Sequence, residues 1–355
     1  MNNDYTGTVK ARSEMELAWK QLKKNRLAMF GGIVLIILYT MMFLSGFISP
    51  YPEDFSDRER GFLPPSIIKF VDIEGKWHLR PFIYDYKSQL VPGRFTLDRS
   101  KLYQIRFFVK KDGKIHLFGV DEPARIYLFG GDQLGRDIFT RVLYGSRIAL
   151  TIGIVGVVIS YSLGMVLGGI SGFFGGTIDN FLQRFGELLM TFPQFYLLLA
   201  FRAVIPEKLP STQVYLMIVL ILSIIRWPGV ARIVRGMVLS LREMEFVVAA
   251  LAIGASPLRI IVRHILPNTF SQIIVLVTLS IPGFILGEAA LSFLDLGIRE
   301  PQASWGNMLA TAQDITALTH YPWILIPGFF IIITVVAFNF LGDGLRDALD
   351  PKMRV

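Results

Sequence analysis

The sequence predicts an all-α membrane protein of six transmembrane helices with a β-rich extracytoplasmic insertion between the first and second. Three observations lead there. Of 355 residues, 52% are hydrophobic and only 18% are charged, with a mean hydropathy of +0.50, too apolar for an ordinary soluble domain. Apolar runs long enough to cross a hydrocarbon layer recur along the chain. Between the first two runs, residues 49–140 are rich in charge and proline and carry a hairpin signature instead.

Residues 1–26 are a cytoplasmic N-terminal segment, and EMELAWKQLKKNR (14–26) reads as an amphipathic helix with Met15, Leu17, Trp19 and Leu22 among basic residues. Lys20, Lys23, Lys24 and Arg26 stand directly before the first apolar run, 27–48, and hold the N-terminus inside. Ser45 and Gly46 are small enough to suggest a signal-peptidase site, but the run is too long for a signal peptide, so it is an uncleaved anchor.

In the insertion, Ile105, Phe107 and Val109 alternate, Asp112-Gly113 supplies a two-residue turn, and Ile115 and Leu117 alternate again. KWHLRPFIYDY and ARIYLF read as further strands. The expectation is a small, separately folded domain on the outer side, serving either as a docking surface or as a passive lid.

The transmembrane core, 141–345, is led into by GGDQLGRDIFTRVLYGSR, residues 130–147. Its glycines invite a phosphate-loop reading, but no GxxxxGK[ST] occurs anywhere in the chain. Arg136 beside Asp132, Gly135 and Asp137 instead predicts an ion pair locking a turn at the membrane surface. The second span, 148–170, carries Gly153, Gly156, Gly164, Gly168 and Gly169, which allow close packing in lipid. The third, 185–205, is kinked at Pro193, with Glu187 and Arg202 expected to snorkel at its ends. The fourth covers 214–234, the fifth 269–293 with Pro282, Gly283 and Glu288, and the sixth 322–341. Glu288 is expected to hydrogen-bond between helices near an outer gate, because a carboxyl in a span is costly unless it is partnered. A cytoplasmic tail, 346–355, follows.

The connector 236–268 lies inside, since Arg232, Arg235, Arg242, Arg259 and Arg263 surround it while the short outer loops carry only Lys208 and Arg299. Within it, FVVAALAIGASPLRIIVRHILPN (246–268) reads as helix, glycine elbow, helix. Ala249, Ala250 and Ala252 favour helix, and Gly254 ends it through positive φ. Ala255 follows, Ser256 and Pro257 are N-cap and first turn, and Pro267 is expected to end the second helix. A pair of helices lying on the membrane is the plain reading of such a stretch.

The order Ala249-Ala250, three residues, Gly254, nine residues, then His264-Ile265-Leu266-Pro267 resembles the EAA loop of bacterial ATP-binding-cassette importer permeases. Val248 stands at the family's Glu position and His264 at its usual Ile. Asp132, Gly135, Arg136 and Asp137 resemble the signature of the dipeptide and oligopeptide permeases, with Gly131 in place of Thr. LSFLDLGIREPQASWGNML and LGDGLRDALDPKMR are similar to the segments following that family's fifth and sixth spans.

The resemblance implies the C-type permease subunit of a peptide importer, with importers of nickel chelates or other small solutes as the alternative. It implies residence in a bacterial or archaeal inner membrane, both termini inside. The partners it implies are a homologous second permease, two ATPase subunits and an extracytoplasmic solute-binding protein. It further implies that Ala249, Ala250, Gly254, Ala255, Ser256, Pro257, Arg259, His264 and Pro267 form the ATPase-coupling loop. ATP and Mg would reside on the ATPase subunits, with no cofactor on this chain.

The absence of cysteine excludes disulfides, thiolate metal sites and cysteine nucleophiles. His78, His116, His264 and His320 lie in separate segments without an HExxH pairing, so no metalloenzyme pattern is present. The +8 formal charge follows the inner face rather than one stripe, which points to anionic lipid and not to nucleic acid. A secondary transporter would show internal repeats and titratable groups near mid-span, whereas the charges read as clustered at span ends.

Overall fold

The computed structural model describes residues 14–89, 95–111, 113–204, 206 and 209–350. The turn residue Asp112, the outer-loop Lys208, the end of the third span at Ile205, the tail beyond Asp350 and the side chain of Met15 lie outside the described residues.

Helix α1 (Glu14–Lys24) is the expected amphipathic segment. It buries Ala18 and Leu22 against the far end of the chain, at Leu345, Ala348 and Leu349, and leaves Trp19 exposed. Asn25 caps α2 (Arg26–Phe43) by accepting from the Ala28 amide at 3.1 Å. The first apolar run then breaks at Leu44 and ends in a single turn, α3 (Ser45–Ile48).

The insertion contains two small antiparallel sheets. One joins β1 (Lys69–Val71), β2 (Trp77–Ser88) and β3 (Phe95–Gln104), and the other is the hairpin of β4 (Arg106–Lys111) and β5 (Lys114–Gly119). The hairpin keeps regular register from Arg106↔Gly119 to Lys111↔Lys114. Strand β3 was not expected, because Asp98, Arg99, Ser100 and Lys101 interrupt any alternation. Its pairing with β2 decides it.

Conversely, ARIYLF is not a strand. Its backbone is satisfied one group at a time: the Ile126 amide donates to Tyr51 Oη, and the Tyr127 amide to Ser66 Oγ. The insertion packs on itself in one cluster, Tyr51, Leu63 and Tyr127 with Phe55, Tyr86 and Phe95, while a second, Ile83, Ile105, Phe118 and Ile126, packs against Phe139 of the next helix.

Asp137 opens that helix, α4 (Ile138–Phe174), accepting from the amides of Phe139 and Thr140. Along α4, Gly164 and Gly168, four residues apart, are followed at the same spacing by Gly172, and all three face α7 (Ser211–Leu241). A Cβ at Gly168 would stand 2.4 Å from the Ala231 carbonyl oxygen, and one at Gly172 2.8 Å from that of Arg235. Both obstacles are backbone, which cannot rotate away. Gly168→Leu is therefore expected to abolish a monodisperse detergent-solubilised protein on size-exclusion chromatography. Gly229→Ala, with nothing within 4 Å of its Cβ, serves as the neutral control.

The third span is bent more sharply than a proline kink. Helix α5 (Gly176–Thr191) and α6 (Gln194–Val204) meet at 91° around Pro193. Arg202 does not snorkel. It is buried, and its Nε donates to the Leu296 carbonyl across the fold. Five helices are long and apolar enough to cross a membrane, or six if the bent pair is one span.

After α8 (Glu245–Ala252) and the single turn α9 (Pro257–Ile260), Pro267 does not end the helix as expected. A π turn over Ile261–Ile265 carries the backbone into α10 (Leu266–Phe293). Widening the turn accommodates the missing proline N–H, so residues 257–293 run as one helix. Short helices α11 (Trp305–Leu309) and α12 (Ile315–His320) lead to α13 (Ile326–Leu349), which packs on α2 and α10.

Candidate functional site

The elbow between α8 and α9 has a defined geometry. Gly254 has φ +84°, its amide donates to Leu251 O at 3.0 Å, and the Ala255 amide donates to Ala250 O at 3.0 Å. These two bonds are a Schellman close, which requires a residue at ease with positive φ. Ser256 takes the extended conformation of an N-cap without a side-chain hydrogen bond, and Pro257 occupies the first turn.

The paired alanines separate here. Ala250 is 5% exposed and packs, with Val247, Ile260 and Ile265, on the chain's own core, while Ala249 faces outward. The free face of the elbow is instead Ala249 with Phe246, Val248, Ile253 and Leu258, Ile253 being 86% exposed. Arg259 is exposed beside it, and His264 is half-buried, its carbonyl accepting from Asn268 Nδ2.

At the opposite end of α10 the Asp132–Asp137 turn becomes part of an ion cluster. Asp132 Oδ1 accepts from the amides of Leu134 and Arg136, at 2.9 and 3.0 Å, while its Oδ2 takes Arg136 Nε at 2.7 Å. The expected Arg–Asp pair is thus present, but larger than its local sequence. Arg136 also forks onto Glu300, and Arg141, 1% exposed, donates to both Glu300 oxygens at 3.1 Å and to the Pro301 carbonyl at 3.3 Å. Gly135 has φ +68°, and a Cβ there would stand 1.8 Å from the Asp57 carbonyl oxygen. Burial pushes the Asp137 carboxyl up to about 7, while the hydrogen bonds from Thr140 and Phe139 pull the other way.

Beside this cluster a cavity of about 520 Å³ opens among Asp132, Arg136, Ser292, Asp295, Glu300 and Asn307. Behind Ser292, which lines the cavity, Glu288 is fully buried. Its Oε1 accepts from Ser292 Oγ at 2.6 Å and Ser304 Oγ at 2.7 Å, and Ser304 caps α11 in a capping box with Asn307. Glu288 therefore ties α10 to α11, as a partnered carboxyl in a span should. Gln would keep that acceptor and Ala would not. Glu288→Gln is expected to unfold within about 1 kcal/mol of the parent, and Glu288→Ala to lose about 1–3 kcal/mol, in thermal scans of the purified protein. Equal loss in both would show that the charge itself is needed.

A family model described as binding-protein-dependent transport system inner membrane component matches residues 164–355, more than half of the chain. The chain belongs to this family. A second model, the N-terminal TM domain of oligopeptide transport permease C, matches residues 13–65. The chain is 35% identical to the dipeptide transport system permease protein DppC of Bacillus subtilis over 95% of its length and 85% of that protein's. It is 42% identical to the oligopeptide transport system permease protein OppC of Bacillus subtilis over 67% and 76% of the two chains. With that of Haemophilus influenzae it shares 44% identity over 63% and 70%. A solved structure described as inward-facing conformations of the MetNI methionine ABC transporter aligns at 16% identity and TM-score 0.43, over 59% of this chain and 96% of that one.

The chain is therefore a multi-pass membrane permease component of an ABC importer, and not the subunit that hydrolyses ATP. The permease residues absent from the sequence reading are Arg141, Glu300 and Ser304. Arg141 follows Arg136 closely in the chain and could have been singled out there. Glu300 lies more than 150 positions away, and nothing in its surroundings marks it as a partner.

Proposed function

We propose that this permease is one of two homologous membrane subunits of an ATP-driven peptide importer, and that the α8–α9 elbow is its dock for an ATPase subunit. The observation that carries the reading is the elbow's exposed apolar face, Phe246, Val248, Ile253 and Leu258, held outward by the Schellman close. Exposed apolar groups of this density on a chain whose partners include soluble subunits are best explained by a protein partner. The names of the relatives supply the substrate class, dipeptides and oligopeptides.

Arginines 232, 235, 242, 259 and 263 support an inside position for the elbow, and counting the bent α5–α6 pair as one span makes six, which is consistent with both termini inside. The insertion, with its two small sheets, lies outside, where an extracytoplasmic binding protein delivers substrate. The 520 Å³ cavity is of a size to receive a small solute on that side.

The continuous helix over 257–293 is the transmission element. At 1.5 Å per residue it is about 55 Å long, enough to join the elbow to the Glu288–Ser304 tie across the bilayer. Closure of the ATPase dimer displaces the elbow, and a stiff helix carries that displacement to the outer end, which is alternating access by rigid-body movement. Nucleotide and Mg stay on the ATPase subunits. Affinity purification of the permease should bring down two ATPase subunits and a second permease, and a peptide-loaded binding protein should raise ATP hydrolysis in the reconstituted assembly. Isolation of the permease with no ATPase would overturn the reading.

A further inference from the structure

The charges of the spans do not all lie at their ends. Arg226 stands at the midpoint of α7, within the apolar part of a spanning helix. An ionisable group at such depth is costly and calls for a partner or a task. Among the described residues no carboxylate pairs with it. Its Nη2 donates to the Gly283 carbonyl at 3.0 Å, its plane lies over the Phe284 ring at 4.9 Å, and the Gln194 amide oxygen, turned toward it, accepts from Nε and Nη2 at 3.0 and 3.1 Å. Nη1 has no hydrogen bond to any described residue, and the side chain is only half-buried.

The surroundings are unusual in the same place. Gln194 begins α6 directly after the 91° bend, Pro228 follows Arg226 by two residues, and Pro282 precedes Gly283 inside α10. A Cβ at Gly283 would stand 2.5 Å from Nη1, so the guanidinium lies on bare backbone. Tyr161 of α4, hydrogen-bonded to Ser280 at 2.8 Å, is within electrostatic range of it. A broken helix, as at the α5–α6 bend, and polar groups within the membrane occur together where a protein lines a solute path, because exposed backbone is tolerated there and not against lipid.

A neutral amide would suffice to satisfy the Gly283 carbonyl. A full positive charge, uncompensated by any acid among the described residues and with one nitrogen still open, fits an anion that arrives from outside the fold. We propose that Arg226 is the point on the translocation path that takes the carboxylate of a passing substrate. This rests on the reading of the chain as half of a peptide pathway, since a free carboxylate is the anionic group a peptide always offers.

The chain has no cysteine, so a single one at Gln194 reports on this spot alone. In the complete transporter reconstituted in vesicles, Gln194→Cys is treated with membrane-impermeant anionic and cationic methanethiosulfonates, and labelling is read on this chain's own gel band. With Arg226 present the anionic reagent should react about tenfold faster than the cationic one, and Arg226→Gln should bring the two rates together. No reaction with either reagent, or equal rates in the Arg226 parent, overturns the proposal. In parallel, uptake of alanyl-alanine should fall about tenfold in Arg226→Gln and largely return in Arg226→Lys, which keeps the charge. Equal loss in Gln and Lys variants assigns Arg226 to holding Gly283 and also overturns it. If the parent does not carry the dipeptide although the reagent preference is present, the peptide reading fails while the anion-attracting position stands.

Discussion

An aspartate in place of Ile253 is expected to cost the permease its ATPase subunits while leaving its own fold intact. Ile253 is the most exposed large apolar residue of the elbow, at 86%, and closes α8 as its C-cap, so its side chain contributes little to the chain's own packing. The same side chain is the natural centre of the apolar face formed with Phe246, Val248 and Leu258. A charge placed there must be desolvated without a partner when the elbow enters a groove. Loss of a central apolar anchor costs about 2 kcal/mol or more, roughly a thirtyfold weaker association. The measurement is co-purification with the ATPase subunits, together with substrate-stimulated ATP hydrolysis, at equal expression. Wild-type coupling in Ile253→Asp would return the elbow to a helix pair lying on the membrane. Two neighbouring substitutions read differently. Ala250→Glu drives a carboxylate into the permease's own core and reports on folding. Gly254→Val meets no steric obstacle but forces φ +84° on a β-branched residue, at a cost of about 1–3 kcal/mol in the elbow alone.

Glu300→Ala is expected to destabilise the outer end of the permease more than any other single truncation of a charged side chain. It removes the carboxylate that both Arg136 and Arg141 grip by direct hydrogen bonds, leaving Arg141, 1% exposed, with the Pro301 carbonyl at 3.3 Å and Asp132 at 3.8 Å. An uncompensated buried guanidinium costs about 3–5 kcal/mol, and the lower end applies because Glu300 is itself partly solvated, at 44% exposure. Thermal unfolding of the purified permease measures it. Replacing Arg141 by Met in the Glu300→Ala background should recover part of the loss, since the stranded charge is then gone. Additive effects of the two substitutions would mean that the pair does not interact and that the cluster merely decorates the surface.

The spans, their order and the elbow were legible in the chain because each rests on local physics. Twenty apolar residues in a row have few alternatives in water, and Gly254-Ala255-Ser256-Pro257 contains its own stop and start signals. The Gly164–Gly168 step and the Asp132–Arg136 pair were legible for the same reason, since their partners lie one turn apart or on a helix face that glycine leaves open. What only the tertiary structure decided involves groups distant in sequence or a choice between two locally allowed states. Pro267 can end a helix or ride through a widened turn, and packing of Ile260, Ile261 and Ile265 on the core selects the second. Ala249 and Ala250 are equivalent as helix formers, yet adjacent positions on a helix point about 100° apart, so one is buried and the other presented. Glu300 meets Arg141, and Arg226 meets Gly283, only after the spans have packed, and no local pattern announces a contact whose two halves lie on segments distant in sequence.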